Sequence, residues 1–220
     1  MYLSKLLVSL GIFAGIFLAS SCGSSSANVR LINALPTQSN LDLLVDSKSV
    51  ATSVGYGAAS SYATVSPGSQ HIQAEGSGTT NVVLDLSQSL GSNSYSTALA
   101  AATGSIVLTD SHAAPSSGNF SIRVLNASAN LPSADVYVLP SGTDINSVAP
   151  TYSSLTLQSN PSYTNLAPGT YQVIFTLPGQ KSAVTSTSSL SFTSGQVRTV
   201  IGLDGFGGAT PTTSVISDFN

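Results

Sequence analysis

Apolar and polar residues alternate along most of the chain after residue 28. Phe120, Ile122 and Val124 fall on one face of a segment, and residues 171–177 alternate in the same way. Because successive side chains of a strand point to opposite faces, this period of two predicts half-buried β-strands. Turns rich in Pro and Gly separate the segments, and no apolar stripe with the helical period follows. The pattern therefore predicts an all-β chain.

The strand pattern occurs twice. VRLINA at 29–34 returns as IRVLNA at 122–127, and LDLLVD at 41–46 returns as ADVYVL at 134–139. A Tyr-to-Pro-Gly segment is also repeated, and each copy closes on a strand that ends in Asp, at Asp110 and at Asp218. Repeats of this length indicate tandem units, each large enough to bury a core of its own.

These observations predict two tandem immunoglobulin-like antiparallel β-sandwiches after an N-terminal signal peptide helix. The expected boundaries are a signal peptide at 1–21, a lipidated cysteine and flexible tether at 22–28, the first sandwich at 29–111, a linker at 112–119 and the second sandwich at 120–220. The second copy carries about eight more residues than the first, between positions 138 and 161.

The N-terminus has the three parts of a bacterial lipoprotein signal. Lys5 precedes the apolar run Leu6–Leu18, and small residues follow it up to Cys22. The run is short for a membrane-spanning helix, which needs about 20 residues. Cys22 is the only cysteine, so it has no disulfide partner within the chain. We expect lipidation of Cys22 to anchor the chain to a membrane, at the outer membrane or cell surface in a Gram-negative cell.

Charge is scarce and slightly negative. Charged residues are 7% of the chain, against about 25% in typical domains, and the net charge is −3. Binding to nucleic acid needs a basic patch, which this composition does not supply. The composition therefore argues against a nucleic acid partner and against electrostatic steering of a ligand.

Two charged residues are repeated near the start of each copy. Arg30 matches Arg123, and Asp42 matches Asp135. They form either a duplicated charged site, or a structural Arg–Asp pair, or two separate charges that solubilise the outer face of the sheet. The pair is expected to lie outside the core, because Asp42 alternates with Leu41 and Leu43. Exposed pairs contribute under about 1 kcal/mol.

Repeated Asn and Tyr residues are the other candidate site residues. Asn33 and Asn126 precede irregular loops, and Asn side chains bond readily to turn backbone, so a loop anchor is the favoured role over a ligand contact. Tyrosines at loop positions could stack on sugar rings, whereas the simpler interpretation is structural. The candidate ligand-binding tyrosines are Tyr56, Tyr62, Tyr152 and Tyr163, with Tyr56 and Tyr62 aligned to Tyr152 and Tyr163.

Catalytic and metal chemistry find little support. Asp110, Ser111 and His112 contain the residue types of a hydrolase triad, but adjacent residues cannot place the imidazole between acid and nucleophile. The other histidine, His71, has no metal-ligand spacing with them. The Gly-rich segment 202–208 does not follow a strand–helix pattern, so it does not predict a phosphate loop. We expect no enzyme activity, no metal and no cofactor.

The residues quoted above resemble the domain-of-unknown-function family numbered forty-three ninety-seven. The resemblance rests on VRLINA and IRVLNA, the second strands, the Tyr-to-Pro-Gly segments and VLTD, and it covers almost the whole chain after the tether. It implies sandwich modules of bacterial extracytoplasmic proteins, and it implies no known activity.

The expected function is that of a non-catalytic lipoprotein of the bacterial envelope. Its role would be structural, adhesive or an interaction with an envelope protein or polysaccharide. The alternative is a module that binds a carbohydrate or small ligand through loop tyrosines.

Overall fold

A computed structural model describes residues 25–116 and 118–220. The predicted signal peptide and Cys22 lie outside the described residues. Within them the chain forms strands joined by turns and three short 3₁₀ helices, so the all-β prediction is confirmed. No helix in the described part is long and apolar enough to cross a membrane.

The first sandwich is built from eight strands in two sheets. One sheet has the order β3-β2-β5-β6 and the other has the order β4-β1-β7-β8. The strands are β1 (Ala27–Ala34), β2 (Asn40–Val45), β3 (Lys48–Gly55), β4 (Ala63–Val65), β5 (Gly68–Gly76), β6 (Val82–Leu90), β7 (Tyr95–Ala101) and β8 (Gly104–Thr109).

The second sandwich repeats this plan. Its sheets have the orders β12-β9-β16-β17 and β11-β10-β13-β14, with β15 also paired to β13. The strands are β9 (Phe120–Asn126), β10 (Ala134–Pro140), β11 (Tyr152–Leu155), β12 (Thr164–Leu166), β13 (Gly169–Thr176), β14 (Ala183–Ser186), β15 (Leu190–Phe192), β16 (Val197–Leu203) and β17 (Thr212–Phe219). The 3₁₀ helices are Ile145–Ser147, Leu157–Ser159 and Phe206–Gly208.

The strand that opens each repeat pairs in parallel with a late strand. β1 runs parallel to β7, with Arg30 opposite Thr97, and β9 runs parallel to β16, with Arg123 opposite Thr199. All other strand pairs within the described residues are antiparallel. Each Arg-bearing strand therefore occupies a central position in a mixed sheet.

The Arg-bearing sheets pack against each other, so the molecule has four layers. One face of β1 contributes Val29 and Leu31 to the core of the first sandwich, and the other face contributes Ile32 and Ala34 to a separate apolar cluster. That cluster joins β1, β7 and β8 to β9, β16 and β17; its members are Ile32, Ala34, Leu99, Ala101, Leu108, Leu125, Ala127, Leu157, Ile201, Leu203 and Ile216. We call the contact between these two sheets the seam.

Burial of both faces corrects one expectation from the sequence. The alternation in residues 29–34 and 120–126 predicted half-buried strands with one face in water. In the structure every residue of β9 is buried, and β1 has only Asn28 partly exposed. The reason is that the second face of each strand packs on the other repeat.

The extra residues of the second copy lie between β10 and β11. In the first copy β2 and β3 are joined by a tight turn at Asp46 and Ser47. In the second copy residues 141–151 replace that turn and contain the helix Ile145–Ser147. Lys181 holds this loop by donating to the backbone oxygens of Ile145 and Val148.

Candidate functional site

The two repeated arginines lie in the seam and each binds the other sandwich. Arg30 is 2% exposed. Its Nε donates to Thr97 Oγ1 of the same sandwich at 2.8 Å. Its Nη1 donates to the Ser217 backbone oxygen at 2.9 Å, and its Nη2 donates to Asp218 Oδ1, both on β17 of the second sandwich.

Arg123 makes the same three contacts in the opposite direction. Arg123 is 1% exposed. Its Nε donates to Thr199 Oγ1 of its own sandwich at 3.2 Å. Its Nη1 donates to the Thr109 backbone oxygen at 3.1 Å, and its Nη2 donates to Asp110 Oδ1 at 2.7 Å, at the end of β8. The two sandwiches therefore exchange arginines reciprocally.

The second oxygen of each carboxylate is held within its own sandwich. Tyr62 donates its hydroxyl to Asp110 Oδ2 at 2.7 Å, and Thr97 donates to the same oxygen. On the other side, the Tyr163 hydroxyl lies 2.9 Å from Asp218 Oδ2, and Thr199 Oγ1 lies 2.6 Å from it. We call these eight residues the clamp: Arg30, Tyr62, Thr97, Asp110, Arg123, Tyr163, Thr199 and Asp218.

The clamp is electrically balanced in a buried setting. Two guanidinium groups face two carboxylates, and Asp110 Oδ2 lies 3.7 Å from Arg30 Nε as well as bonding Arg123 through its other oxygen. Each guanidinium also covers a tyrosine ring, with its Cζ 4.6 Å from the centroid of Tyr62 or Tyr163. Buried charges are tolerated when they are paired and fully hydrogen-bonded, as here.

Burial and neighbouring charge shift the pKa values of the clamp, in opposite directions at Arg30 and in the same direction at Tyr62. Burial lowers the pKa of Arg30, but the carboxylates of Asp218 and Asp110 outweigh it, and the net pKa is raised. Burial raises the pKa of Tyr62, and the neighbouring Asp110 carboxylate raises it further. Burial likewise raises the pKa of Tyr163. Both hydroxyls therefore stay protonated as donors to the carboxylates.

The expected Arg30–Asp42 and Arg123–Asp135 pairs are wrong. The expected exposure is wrong for Arg30, Arg123 and Asp135, which are buried, whereas Asp42 does lie outside the core. The arginines point into the seam, whereas Asp42 and Asp135 belong to the outer sheets. Asp42 accepts from the Ser53 backbone N–H at 2.8 Å. Asp135, which is buried, accepts from the Ser154 and Gly179 backbone N–H groups at 2.8 and 2.7 Å. These two aspartates accept hydrogen bonds from backbone N–H groups and do not pair with the arginines.

Asn33 and Asn126 make equivalent contacts with the loops that follow them. Asn33 donates to the Gln38 and Val54 backbone oxygens and accepts from the Leu35 N–H. Asn126 donates to the Leu131 and Leu155 backbone oxygens and accepts from the Ser128 N–H. Both side chains are buried, and their amide nitrogen and oxygen atoms are hydrogen-bonded to backbone groups.

The four candidate tyrosines do not form two matched pairs. Tyr62 and Tyr163 are equivalent members of the clamp. Tyr56 and Tyr152 are not equivalent. Ser53 and Ser154 are equivalent because their backbone N–H groups donate to the matched Asp42 and Asp135. Tyr56 lies three residues after Ser53, so its counterpart is Leu157, three residues after Ser154. Tyr152 contacts Thr164 within the second sandwich.

Tyr56 is a further link across the seam. Its hydroxyl donates to the Asp204 backbone oxygen, and its ring lies 5.3 Å from that of Phe206, both on the second sandwich. Burial raises the pKa of Tyr56 to about 12. Phe206 is 49% exposed, so this aromatic pair reaches the surface.

The two histidines have separate surroundings. His112 stacks on Tyr95 at 3.8 Å between ring centroids, and its Nδ1 lies 2.6 Å from the Asp218 backbone oxygen. His71 pairs with Asp85 on the exposed face of β5 and β6 at 2.7 Å. No group of three His, Cys, Asp or Glu residues within the described ranges could hold a metal ion.

Two clefts are bordered by residues of the clamp. The larger, of about 620 Å³, is bordered by Arg30, Tyr62, His112 and residues 214–220. The smaller, of about 350 Å³, is bordered by Asp110, Arg123 and Tyr163. Every buried side-chain nitrogen and oxygen of the described residues already has a hydrogen-bond partner. What this arrangement does chemically is hold the two sandwiches together.

Sequence reasoning missed the carboxylates of the clamp, although a signal was present. The repeats show Asp110 and Asp218 as equivalent ends of the last strands, without connecting them to the arginines. Ile32 and Ala34 share a face with Arg30, and Leu125 and Ala127 share one with Arg123. An Arg within an apolar face indicates a buried Arg that needs a carboxylate partner.

Several solved structures match the chain in a structural comparison. The N-terminal domain of AlgF from P. aeruginosa is 26% identical, with a TM-score of 0.32, over 40% of this chain and 95% of that one. A family CBM26 module of Eubacterium rectale Amy13K, solved with maltoheptaose, is 7% identical, with a TM-score of 0.29, over 86% and 95%. TM-scores this low do not establish a shared fold.

No curated protein matches the chain. A family model does match, over residues 27–137, which is half of the chain. The match takes in the first sandwich, including Arg30 and Asp110, and continues through β9 into β10, including Arg123. The chain therefore belongs to the family described as Domain of unknown function (DUF4397).

Proposed function

We propose that this protein is a non-catalytic, lipid-anchored protein of the bacterial envelope with a structural, adhesive or interaction role. The observation that carries the non-catalytic role is the clamp. Its four buried charges are paired with one another, and its hydroxyl groups donate to those carboxylates. Groups used in this way hold a scaffold rigid and are not free to act as a nucleophile or base.

The proposed anchor is supported by the order of residues before the first strand. Lys5, the apolar run Leu6–Leu18 and Cys22 follow one another as in a lipoprotein signal. Ala27 begins β1 five positions after Cys22, so a lipid on that thiol would hold the first sandwich near the membrane surface. Two or more acyl chains would be needed for stable attachment.

The proposed surroundings follow from the anchor. Gly23 follows the cysteine, where an Asp would favour retention at the inner membrane, so the outer membrane or cell surface is the proposed location in a Gram-negative cell. Partners would be an envelope protein or a polysaccharide. We also propose that the two sandwiches are tandem immunoglobulin-like modules, supported by their matching strand orders.

Metabolic labelling with a radioactive fatty acid tests the anchor. We expect the native chain to take up label and Cys22→Ser to take up none. The matched control is the double variant Cys22→Ser/Ser25→Cys, which keeps one thiol three residues further along. Label in the double variant, or in Cys22→Ser alone, would contradict lipidation at Cys22.

A second candidate function is the binding of a sugar or small ligand, and the exposed Tyr56–Phe206 pair favours it. Aromatic faces stack on sugar rings, and Phe206 is the more exposed of the two. Tyr62 and Tyr163 are less suited because the guanidinium groups cover their rings.

A glycan array tests this second function. We expect any binding by this pair to be lost in Phe206→Ala and retained in Phe192→Leu, which alters an aromatic residue buried in the second core. Absence of binding by the native chain, or binding that survives Phe206→Ala, would exclude the aromatic pair as the platform.

A further inference from the structure

We infer that the seam face of each sandwich is an association surface in its own right, and that it also fits the matching sandwich of a second copy of this chain. In such a pair, Arg30 of one chain would bind Asp218 of another, and Arg123 would bind Asp110. The inference is independent of the proposed anchor and role.

The polar contacts across the seam are reciprocal. Each sandwich offers the same set of groups to the other: an Arg that donates outward, and a backbone oxygen and an Asp that accept from Nη1 and Nη2 of the other sandwich's Arg. In each sandwich a Tyr and a Thr orient that Asp from behind. Contacts that run both ways between like surfaces are the pattern of two-fold dimer interfaces.

The apolar part of the seam has the same reciprocity. The strand registers place each buried apolar strand residue that the first sandwich contributes to the seam at the position of an apolar residue of the second. The partly buried Ile106 is an exception, because it is matched by Ser214. The matched pairs are Ile32 with Leu125, Ala34 with Ala127, Leu99 with Ile201, Ala101 with Leu203, Leu108 with Ile216 and Tyr56 with Leu157. The seam thus has a desolvated centre around which the charges are paired, as a stable interface requires.

The covalent connection contributes little to these contacts. Residues 111–119 join the sandwiches, and Ala113, Ala114 and Ser116 are exposed. His112 is the exception, because it packs on Tyr95 and Phe219. The linker therefore acts mainly by raising the effective concentration of one face for the other, typically to the millimolar range.

Some features occur in one sandwich and not in the other, and these differences determine which seam faces should pair. The stacked His112 has no counterpart in the second sandwich, and the Tyr56 hydroxyl bond to Asp204 joins unlike loops. Ala101 is matched by the larger Leu203. These differences favour a first sandwich with a second sandwich over two copies of the same one, so the partner is the complementary sandwich of another chain.

Cleavage of the linker in the folded full chain tests the inference. A protease recognition sequence is inserted between Ala114 and Pro115, and the chain is cut after folding in a mild detergent. We expect both fragments to elute together at the mass of the intact chain. Elution as two separate fragments would overturn the inference.

Exchange between copies is measured on the same material. Cut protein carrying ¹⁵N is mixed with unlabelled cut protein, unfolded in urea, refolded together and weighed by native mass spectrometry. We expect half of the complexes to contain one labelled and one unlabelled fragment. Complexes of two first sandwiches or of two second sandwiches, in place of one of each, would contradict the stated pairing.

Charge variants separate the clamp from the apolar seam. Asp110→Asn is expected to weaken the association of the cut fragments at least tenfold, and Asp85→Asn, on an exposed carboxylate, to leave it unchanged. If Asp110→Asn does not fold, Arg123→Lys keeps the charge but loses the fork that reaches Thr199, Thr109 and Asp110, and the same weakening is expected. Unchanged affinity in a folded variant would contradict the role of the clamp.

Discussion

Arg30 and Arg123 lie where an unpaired charge would be most costly. Each side chain is almost completely removed from water, yet each has a carboxylate, a threonine hydroxyl and a backbone oxygen as acceptors. A buried ion pair adds little net stability compared with an apolar replacement, but removing one partner leaves the other desolvated and unpaired. The clamp should therefore act mainly by specifying one arrangement of the seam.

Neutralising one carboxylate tests this at a single position. Asp110→Asn leaves two guanidinium groups facing one carboxylate, since Asp110 lies near both arginines. We expect the free energy of unfolding to fall by about 3–5 kcal/mol, the usual cost of breaking a buried pair. Urea denaturation followed by circular dichroism measures it. Asp85→Asn, on the surface, should leave stability nearly unchanged; equal losses in both variants would refute the special role of burial.

The raised tyrosine pKa values predict a pH dependence at the alkaline end. Tyr56 ionises at about 12 in the folded protein and near 10 when unfolded, so the folded state binds the proton more tightly. Its stabilising contribution is complete below about pH 10 and is lost as the pH rises towards 12. Urea denaturation at pH 9 and pH 11 measures the change, and Tyr56→Phe should lose less stability over this interval. An identical slope in both proteins would disprove the assignment.

At the scale of elements, the two repeats fill one core position with different volumes. Gly202 on β16 lies against Phe175 on β13, and a Cβ at residue 202 would lie 2.7 Å from Phe175 Cε1. The matched positions in the first sandwich are Ala100 on β7 and Ala74 on β5, both buried. A large residue in one strand is thus matched by the absence of a side chain in its neighbour across the core.

This compensation predicts the effect of a single methyl group. Gly202→Ala should lower the free energy of unfolding by about 1–3 kcal/mol, because the new Cβ overlaps the Phe175 ring. Adding Phe175→Leu should recover part of the loss by removing the overlapping atoms. Thermal or urea denaturation of the single and double variants measures this. A double variant that is less stable than the sum of the two single changes would show that the overlap is not the cause.

At the scale of the whole molecule, alternation and repeats predicted the strands, the two copies and the position of the extra residues. They could not predict the seam. A period of two shows which residues share a face of a strand. Ile32 and Ala34 share a face with Arg30, which favours burial of that face over the solvated position expected for Arg30. The pattern does not show which sheet covers the face, because Asp218 lies 188 residues away in sequence. The alternation of apolar and polar residues along one strand gives no information on contacts between residues so far apart in sequence.

The seam should also make the two sandwiches unfold as one unit. Leu43 is fully buried in the first core, so Leu43→Ala should cost about 2–5 kcal/mol. If the sandwiches are coupled, the opening free energy of the slowest amides should fall by the same amount in β5 of the first sandwich and in β13 of the second. These amides exchange only when the whole molecule unfolds. Native-state hydrogen exchange followed by mass spectrometry measures both strands. In the double variant Leu43→Ala/Asp110→Asn, the faster exchange caused by Leu43→Ala should be confined to β5. Acceleration limited to the first sandwich in Leu43→Ala alone would show that the clamp joins the sandwiches without coupling their stability.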